Sequence, residues 1–487
     1  MNSKVLLLAV PNVLLFPSTV KAADRPNIII IQTDEHNFRT LGCYRDIMTE
    51  DQAYMWGKGI KVETPNIDAI AKGGVLCSNY YASSPVSTPS RASFQTGLYP
   101  QATGAPKNGL NLDPKLPTFA SILRDNGYST SYVGKWHLEG NRVYDFDIKN
   151  SAGWTDHEFM MEGGHNKFYR ITDGKFEALG SMQYEKLTLE ERKNVFQSTE
   201  YFTEKALAIL ERDKNKPFCL MLSIPDPHTP DYAGEPYHSM YDKLKPVAPV
   251  TMSPELKAQR PGWAVGNIES DHNDVSTFNE KALIQYFGMV KCIDDNVGKI
   301  LAFLDKNKLT DNTIVIFTSD HGDMLYEHNR VNKGVPYEAS ARIPFVMRYP
   351  AKIVPGKILK EAFTTVDFAP TILGIMGVKS KVSFHGINAS TDFFAADKEV
   401  VSDRITYYAK EGGWWVAAVD ARYKLVLSKN DKPYLFDLQK DPNELVNYYN
   451  DKDYSAIAQK LMKELFAQMN KFKEPGLLNV KKKFITE

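Results

Sequence analysis

The sequence predicts an α/β protein: a large, mostly parallel sheet flanked by helices, followed by a smaller C-terminal antiparallel sheet subdomain with a helix. Three observations carry this. The runs NIIIIQT (27–33), PFCLMLSI (217–224) and TIVIFTS (313–319) are nearly unbroken, apolar and rich in β-branched residues, as strands buried on both faces of a parallel sheet are. Helical spacing fills the intervals between them, which implies crossover connections. Beyond about residue 395 the texture changes to short runs divided by turns.

Taken in order, the first run ends in Asp34-Glu35-His36. Thr64-Pro65 opens a helix with Ile67, Ile70 and Ala71 on one face; Gly73-Gly74 ends it, and 75–81 returns as a strand. Leu116, Phe119, Ala120 and Leu123 follow helical spacing, with Pro117 in the first turn and Gly127 past the last. A short strand, 129–133, runs into Gly134-Lys135-Trp136-His137. From 139 to about 186 the pattern weakens and reads as a long decorated loop, a kind that is usually functional. Residues 187–212 read as one helix. The second apolar run opens into Pro225-Asp226-Pro227-His228-Thr229-Pro230, and 231–280 is Pro-rich and irregular. Leu283, Phe287, Val290, Ile293, Val297, Ile300 and Leu304 line one face of a long amphipathic helix. The third run delivers Asp320-His321-Gly322-Asp323; a polar loop with Lys333 follows, then a strand at 343–349 and a helix at 368–376. The runs near 414–419, 423–427 and 434–438 form a β-meander, closed by a helix from about 454 to 472.

The chain has 487 residues, 59 basic and 59 acidic side chains, so two domains are expected, 24–395 and 396–487. The balanced charge gives no global signal for nucleic acid or a membrane surface. An anionic ligand needs a local cluster. Lys4, the apolar stretch to Phe16 and the small residues Val20, Ala22 and Ala23 predict a cleaved signal peptide over 1–23, hence a periplasmic or secreted protein. That stretch is too short to span a bilayer, and no later span is expected. Cys43, Cys77, Cys219 and Cys292 lack metal-site spacing and are expected as buried thiols.

Chemistry concentrates at the strand ends. Each of the strands starting near 27, 129, 217 and 313 is followed by polar groups: Asp34-Glu35, Lys135 with His137, His228, and Asp320-His321. In open α/β sheets ligands bind at that edge. Two carboxylates on a buried strand are costly without a cation, and oxygen ligands suit calcium or magnesium. Arg91, Lys135 and Lys333 supply positive charge for an anion, while His137 and His228 can move protons. The stretch STPSRASFQTG (87–97) is a polar turn feeding a helix, with Ser87 at its N-terminus and Arg91 one turn on. Such a start favours an anion.

That stretch, Ser-x-Pro-Ser-Arg followed by Thr-Gly, resembles the signature of the type I, formylglycine-dependent sulfatases, in the serine form of the bacterial branch. The similarity extends along nearly the whole mature chain and implies the alkaline-phosphatase-like (sulfatase) fold. It implies that Ser87 is oxidised to formylglycine by a formylglycine-generating maturation enzyme. It also implies that Asp34, Glu35, Ser87, Asp320 and His321 hold the metal. The family's Gly-Lys-Trp-His motif matches 134–137, its Pro-x-x-Pro histidine matches His228, and its late lysine matches Lys333. Tyr434-Leu435-Phe436-Asp437-Leu438 with Asp441-Pro442 resembles its C-terminal subdomain. Glu35 stands where aspartate is usual. His321 stands where asparagine is common, and imidazole is a softer ligand than an amide oxygen. By the same resemblance, the hydrated aldehyde attacks sulfur and His228 and Lys333 protonate the leaving oxygen. His137 then takes a proton so that sulfate departs, while Lys135 and Arg91 hold the nucleophile and the anion. The substrate implied is a sulfated sugar, with His165, Arg170 and Asp226 as binding candidates among loops that also hold Trp154, Glu162 and Tyr232. The competing functions are a phosphoester or phosphonate monoester hydrolase on this fold, and a non-catalytic sugar-binding relative.

Overall fold

The computed structural model describes residues 25–140, 146–163, 165–172, 175–265, 273–410, 413–476 and 478–480. The expected signal peptide, 1–23, lies outside them. In chain order the strands are β1 (Asn27–Asp34), β2 (Val75–Tyr81), β3 (Ser129–Lys135), β4 (Asp156–Met161), β5 (Phe168–Thr172), β6 (Lys175–Leu179), β7 (Val195–Gln197), β8 (Phe218–Pro227), β9 (Thr313–Ser319), β10 (Arg342–Ile343), β11 (Phe345–Arg348), β12 (Lys357–Thr364), β13 (Glu399–Val400), β14 (Thr406–Ala409), β15 (Trp415–Val419), β16 (Tyr423–Ser428) and β17 (Tyr434–Asp437).

The three apolar runs lie side by side at the middle of a ten-stranded sheet ordered β13-β12-β2-β11-β9-β1-β8-β3-β4, with β10 paired to β2. β1 is buried along its whole length and pairs in parallel with both β8 and β9. Its side chains alternate between layers. Ile28 and Ile30 pack with Phe94, Phe119 and Phe368 on one face, and Ile29 and Ile31 with Ile67, Phe202, Ile293 and Val297 on the other. The second layer rests on the long helix Glu280–Lys306, whose N-terminal Asn279 side chain accepts from the Ala282 N–H. Parallel pairing brings the carboxyl ends of β1, β3, β8 and β9 to the same edge.

The large sheet is mixed rather than wholly parallel, because β10 and β11 run antiparallel to their neighbours. The strand expected at 343–349 is these two pieces, interrupted at Pro344, which has no N–H for a ladder. β12 is a further parallel strand that periodicity did not predict. The stretch expected as a loop after residue 139 contains edge strand β4 and, with β7, a separate sheet ordered β6-β5-β7. The single helix expected over 187–212 is two helices, Leu189–Arg192 and Ser198–Asp213, separated by β7. Val195 and Phe196, both strand formers, extend there to pair with β5.

The C-terminal region forms the antiparallel sheet β14-β15-β16-β17. Helix Ser455–Lys471 packs Ala458, Leu461, Leu465 and Met469 against it. All four cysteines are free and buried. Among the described residues no helix is long and apolar enough to cross a membrane.

Candidate active site at the strand tips

Helix Ser87–Thr96 is buried at every position. It starts at the sheet edge, with Ser87 as its first residue and Gly97, at φ 69°, ending it in the left-handed conformation that glycine adopts freely. The hydroxyl of Ser87 lies 2.9 Å from His321 Nε2 and 3.5 Å from Asp34 Oδ1. One turn on, Arg91 binds Asp320 Oδ2 through Nε at 2.8 Å, and through one terminal nitrogen Ser223 Oγ at 2.8 Å and the Lys135 carbonyl at 3.1 Å. Its other terminal nitrogen has no hydrogen-bond partner.

The strand tips supply the rest. Asp34 ends β1 and contacts the Lys135 amine at the end of β3. Gly134, at φ 100°, precedes that lysine, and a Cβ there would meet the Ser223 carbonyl oxygen at 1.9 Å, so only glycine lets β3 approach β8 so closely. From β9, Asp320 Oδ1 accepts from the N–H groups of Glu35 (3.1 Å) and His321 (2.8 Å). His321 Nδ1 lies 3.0 Å from the Gly322 carbonyl; donating there, it leaves the Nε2 lone pair facing Ser87. Atoms of Asp34, Asp320 and His321 lie within 4.8 Å of one another, a donor set able to hold a cation. Glu35 is not in that set. It turns Oε2 toward Lys333 Nζ (2.8 Å) and His228 Nε2 (3.0 Å), and its buried Oε1 has no partner.

His228 sits against Lys333 at 2.7 Å and is stacked on His165, with ring centroids 3.9 Å apart. Its Nδ1 faces the Thr229 carbonyl at 2.7 Å, and its Nε2 lies between Lys333 Nζ and Glu35 Oε2. His165 Nε2 also lies 3.1 Å from Lys135 Nζ. His137 is held at φ 59°. Glu162 accepts the N–H groups of the next two residues, Leu138 and Glu139, each at 3.1 Å, while His137 Nδ1 is buried without a partner.

Burial opposes every charge here, and the neighbours decide which survive. Burial would raise Asp34, but Lys135, His228 and Arg91 outweigh it and hold the carboxyl well below the usual range. Glu35 is lowered to about 2 by His228 and Lys333, again against burial. Burial lowers Lys135, with Asp34 in partial compensation. Lys333 rises because Glu35 and Asp34 overcome its burial. Burial, with Lys135 added, drives His137 well below the usual histidine value. Asp34, Glu35 and Lys333 are therefore charged at neutral pH, and His137 is neutral.

Ser87, Arg91, Asp34, Glu35, Lys135, His165, His228, Asp320, His321 and Lys333 thus form one connected network. Two of the substrate-binding candidates lie apart from it. Asp226 is fully buried and turned inward, with Oδ1 on Lys167 Nζ (2.8 Å) and Oδ2 on Ser198 (3.1 Å) and Thr199 (2.5 Å). Neither oxygen is left for a ligand. Arg170, on β5, pairs with Glu177 of β6 at 2.6 Å. Trp154 is core, 1% exposed, with Nε1 3.3 Å from Gln95 Oε1. Sequence reasoning missed Lys167, whose amine joins Asp226 to the His228 carbonyl. Only the fold brings those positions together. It also missed how the Lys333 segment is anchored. Trp415 Nε1 donates to the Gly334 carbonyl (3.3 Å), and Tyr408 Oη and Lys424 Nζ donate to that of Pro336 (2.9 Å each). Glu444 Oε2 accepts from the Glu338 N–H at 2.7 Å.

The model of the family Sulfatase matches residues 26–378, and that of the N-sulphoglucosamine sulphohydrolase C-terminal region matches 326–471. An N-acetylglucosamine-6-O-sulfatase of Bacteroides thetaiotaomicron is 26% identical, the alignment covering 92% of this chain and 87% of that protein. A choline-sulfatase of Rhizobium meliloti is 27% identical, covering 87% and 82%. A solved structure of a protein in complex with its substrate D-glucosamine-2-N,6-O-disulfate shares the fold at a TM-score of 0.72 and 24% identity, over 93% of this chain and 99% of the other. The match over residues 26–378, on a fold that gathers these charged groups at one edge, places the chain in the sulfatase family, enzymes that hydrolyse sulfate esters.

Proposed function

We propose that this sulfatase removes sulfate from a sulfated sugar, with Ser87 converted to formylglycine and a calcium or magnesium ion beside it. The observation that carries the reading is the placement of the Ser87 hydroxyl, 2.9 Å from His321 Nε2 and 3.5 Å from Asp34 Oδ1 at a helix start that favours anions. The donor set fits a hard divalent cation: two carboxylates, an imidazole with its lone pair turned inward, and the unpartnered Glu35 Oε1 close by. Asp34, Asp320 and His321 would hold the ion, with Glu35 and residue 87 completing the set. When present, the hydrated formylglycine supplies the attacking hydroxyl and the cation withdraws charge from the ester oxygens.

The chain's own groups do the rest. The second terminal nitrogen of Arg91, 3.7 Å from Asp34 Oδ2, and the Lys135 amine bind sulfate oxygens. Lys333, charged because of Glu35, keeps a proton against His228 Nε2, and this pair delivers it to the departing sugar oxygen. His137, kept neutral by burial and by Lys135, accepts a proton as sulfate is released. His165 packs on His228 and fixes its ring plane. The residues at 1–23 fit an exported protein, matured by a formylglycine-generating enzyme.

Ser87→Ala is expected to abolish turnover of sulfate esters in a host that matures the protein, with an unchanged circular dichroism spectrum. Mass spectrometry of the residue 87 peptide should show the aldehyde in the parent. Parent-level turnover by the alanine variant would defeat the reading. Faster hydrolysis of phosphate than of sulfate esters of one alcohol would favour the phosphoester alternative.

A further inference from the structure

His228 follows the last residue of β8, where the ladder is irregular. β1 and β8 keep register as far as Thr33 and Ile224 and then shift, so that Pro227 stands opposite Asp34. Pro225, Pro227 and Pro230 have no N–H to donate. Two side chains from the segment before β5 take hold of the histidine from different directions. His165 stacks on its ring, with centroids 3.9 Å apart. Lys167 Nζ donates to its carbonyl and contacts Asp226 Oδ1 at 2.8 Å.

Lys167 is itself fixed. Its carbonyl accepts the Ser198 N–H at 2.8 Å, where helix Ser198–Asp213 begins. The next residue, Phe168, pairs with Gln197 of β7, and Tyr169 lies in the same core as Leu222 and Ile224 of β8. Asp226 is held in turn by the hydroxyls of Ser198 and Thr199. A buried amine needs a carboxylate to offset its lost hydration, and Asp226 meets that need. Charge balance does not require the amine to bond the His228 carbonyl as well. That bond ties the backbone of His228 to a pair braced by β5, β8 and the helix.

We infer that Lys167, held by Asp226, is a positioning residue: it sets the reach of His228 to the departing oxygen and so decides how basic a leaving group the enzyme can expel. This rests on the assignment of His228 and Lys333 to that oxygen. The test compares two esters on the matured whole protein: 4-nitrophenyl sulfate, whose weakly basic phenolate leaves without a proton, and phenyl sulfate, whose more basic phenolate needs one. In Lys167→Met, kcat/KM should fall about 10²-fold for phenyl sulfate, the effect of misplacing an acid by about 1 Å, and by under about three-fold for 4-nitrophenyl sulfate. His228→Ala should show the same split. Lys167→Met with Asp226→Asn removes both buried charges and repeats the measurement without a lone carboxylate. Equal losses for the two esters in these folded variants, as a merely structural pair would give, or no loss for either, would overturn the inference. A second readout needs no turnover. The NMR signal of the His228 ring, assigned by its absence from His228→Ala, should lose the shift that stacking on His165 gives it when Lys167 becomes methionine; an unmoved signal would also overturn the inference. If the parent turns over neither ester, or His228→Ala shows no split, the proposed function or its choice of acid falls, and the ring signal alone decides the role of Lys167.

Discussion

Two clusters of buried charge lie in this protein, and they differ in what lies at their centre. Around Lys424 the amine contacts Glu338 at 2.9 Å, Glu444 at 2.5 Å and the Pro336 carbonyl. Tyr81 Oη donates to the second oxygen of Glu338 at 3.2 Å, and Arg342 stands 3.6 Å from it. The cluster at the strand tips is as deeply buried, and each cluster holds atoms without a hydrogen-bond partner, Glu35 Oε1 and His137 Nδ1 at the tips and Arg342 Nε and Glu444 Oε1 around Lys424. Buried polar groups are normally paired. The difference is in what they surround: the network around Lys424 ties the C-terminal sheet to Glu338, whereas the one at the tips gathers two carboxylates and an imidazole beside the Ser87 hydroxyl, a donor set able to meet a cation from outside.

Substitutions can break this contrast. The largest effect on rate is expected at the tips: His137→Ala should lower kcat by about 10²–10⁴-fold, the range of lost acid–base catalysis. Its Nδ1 bonds nothing, so unfolding free energy should change by only about 1 kcal/mol. At the other cluster the balance reverses. Lys424→Met leaves two carboxylates without their shared cation and should cost about 3–5 kcal/mol, measured by urea unfolding. A loss of turnover without destabilisation there would erase the distinction. The smallest effect belongs to Arg170→Ala, which removes a partly exposed pair with Glu177. It should change stability by about 0–1 kcal/mol and leave KM for sulfate esters at the parent value.

The sequence revealed whatever local pattern determines. Ile28 to Ile31 could only be a doubly buried strand, and Asp34, His228 and Asp320 had to emerge from such strands at one edge. The Ser87 turn was legible because Pro89 and Gly97 bracket its helix. β12 was hidden because Lys357, Lys360 and Glu361 break its apolar alternation. Lys357 is nonetheless buried, its amine donating to the Ala395 carbonyl at 2.8 Å. Asp226 misled through its neighbour: two residues from His228, it points the opposite way because Lys167, Ser198 and Thr199 draw it inward. Those partners come from other elements, and no spacing rule announces them.

The four anchors on residues 334–338 carry a consequence for how this enzyme can be cut or grafted. Tyr408, Trp415, Lys424 and Glu444 all belong to the C-terminal region, and all grip the segment that begins just after Lys333. The smaller sheet is therefore a jig for a proton-bearing lysine on the larger one. A chain shortened before Thr406 would retain every strand-tip residue in its sequence and still lack the template that sets one of them in place.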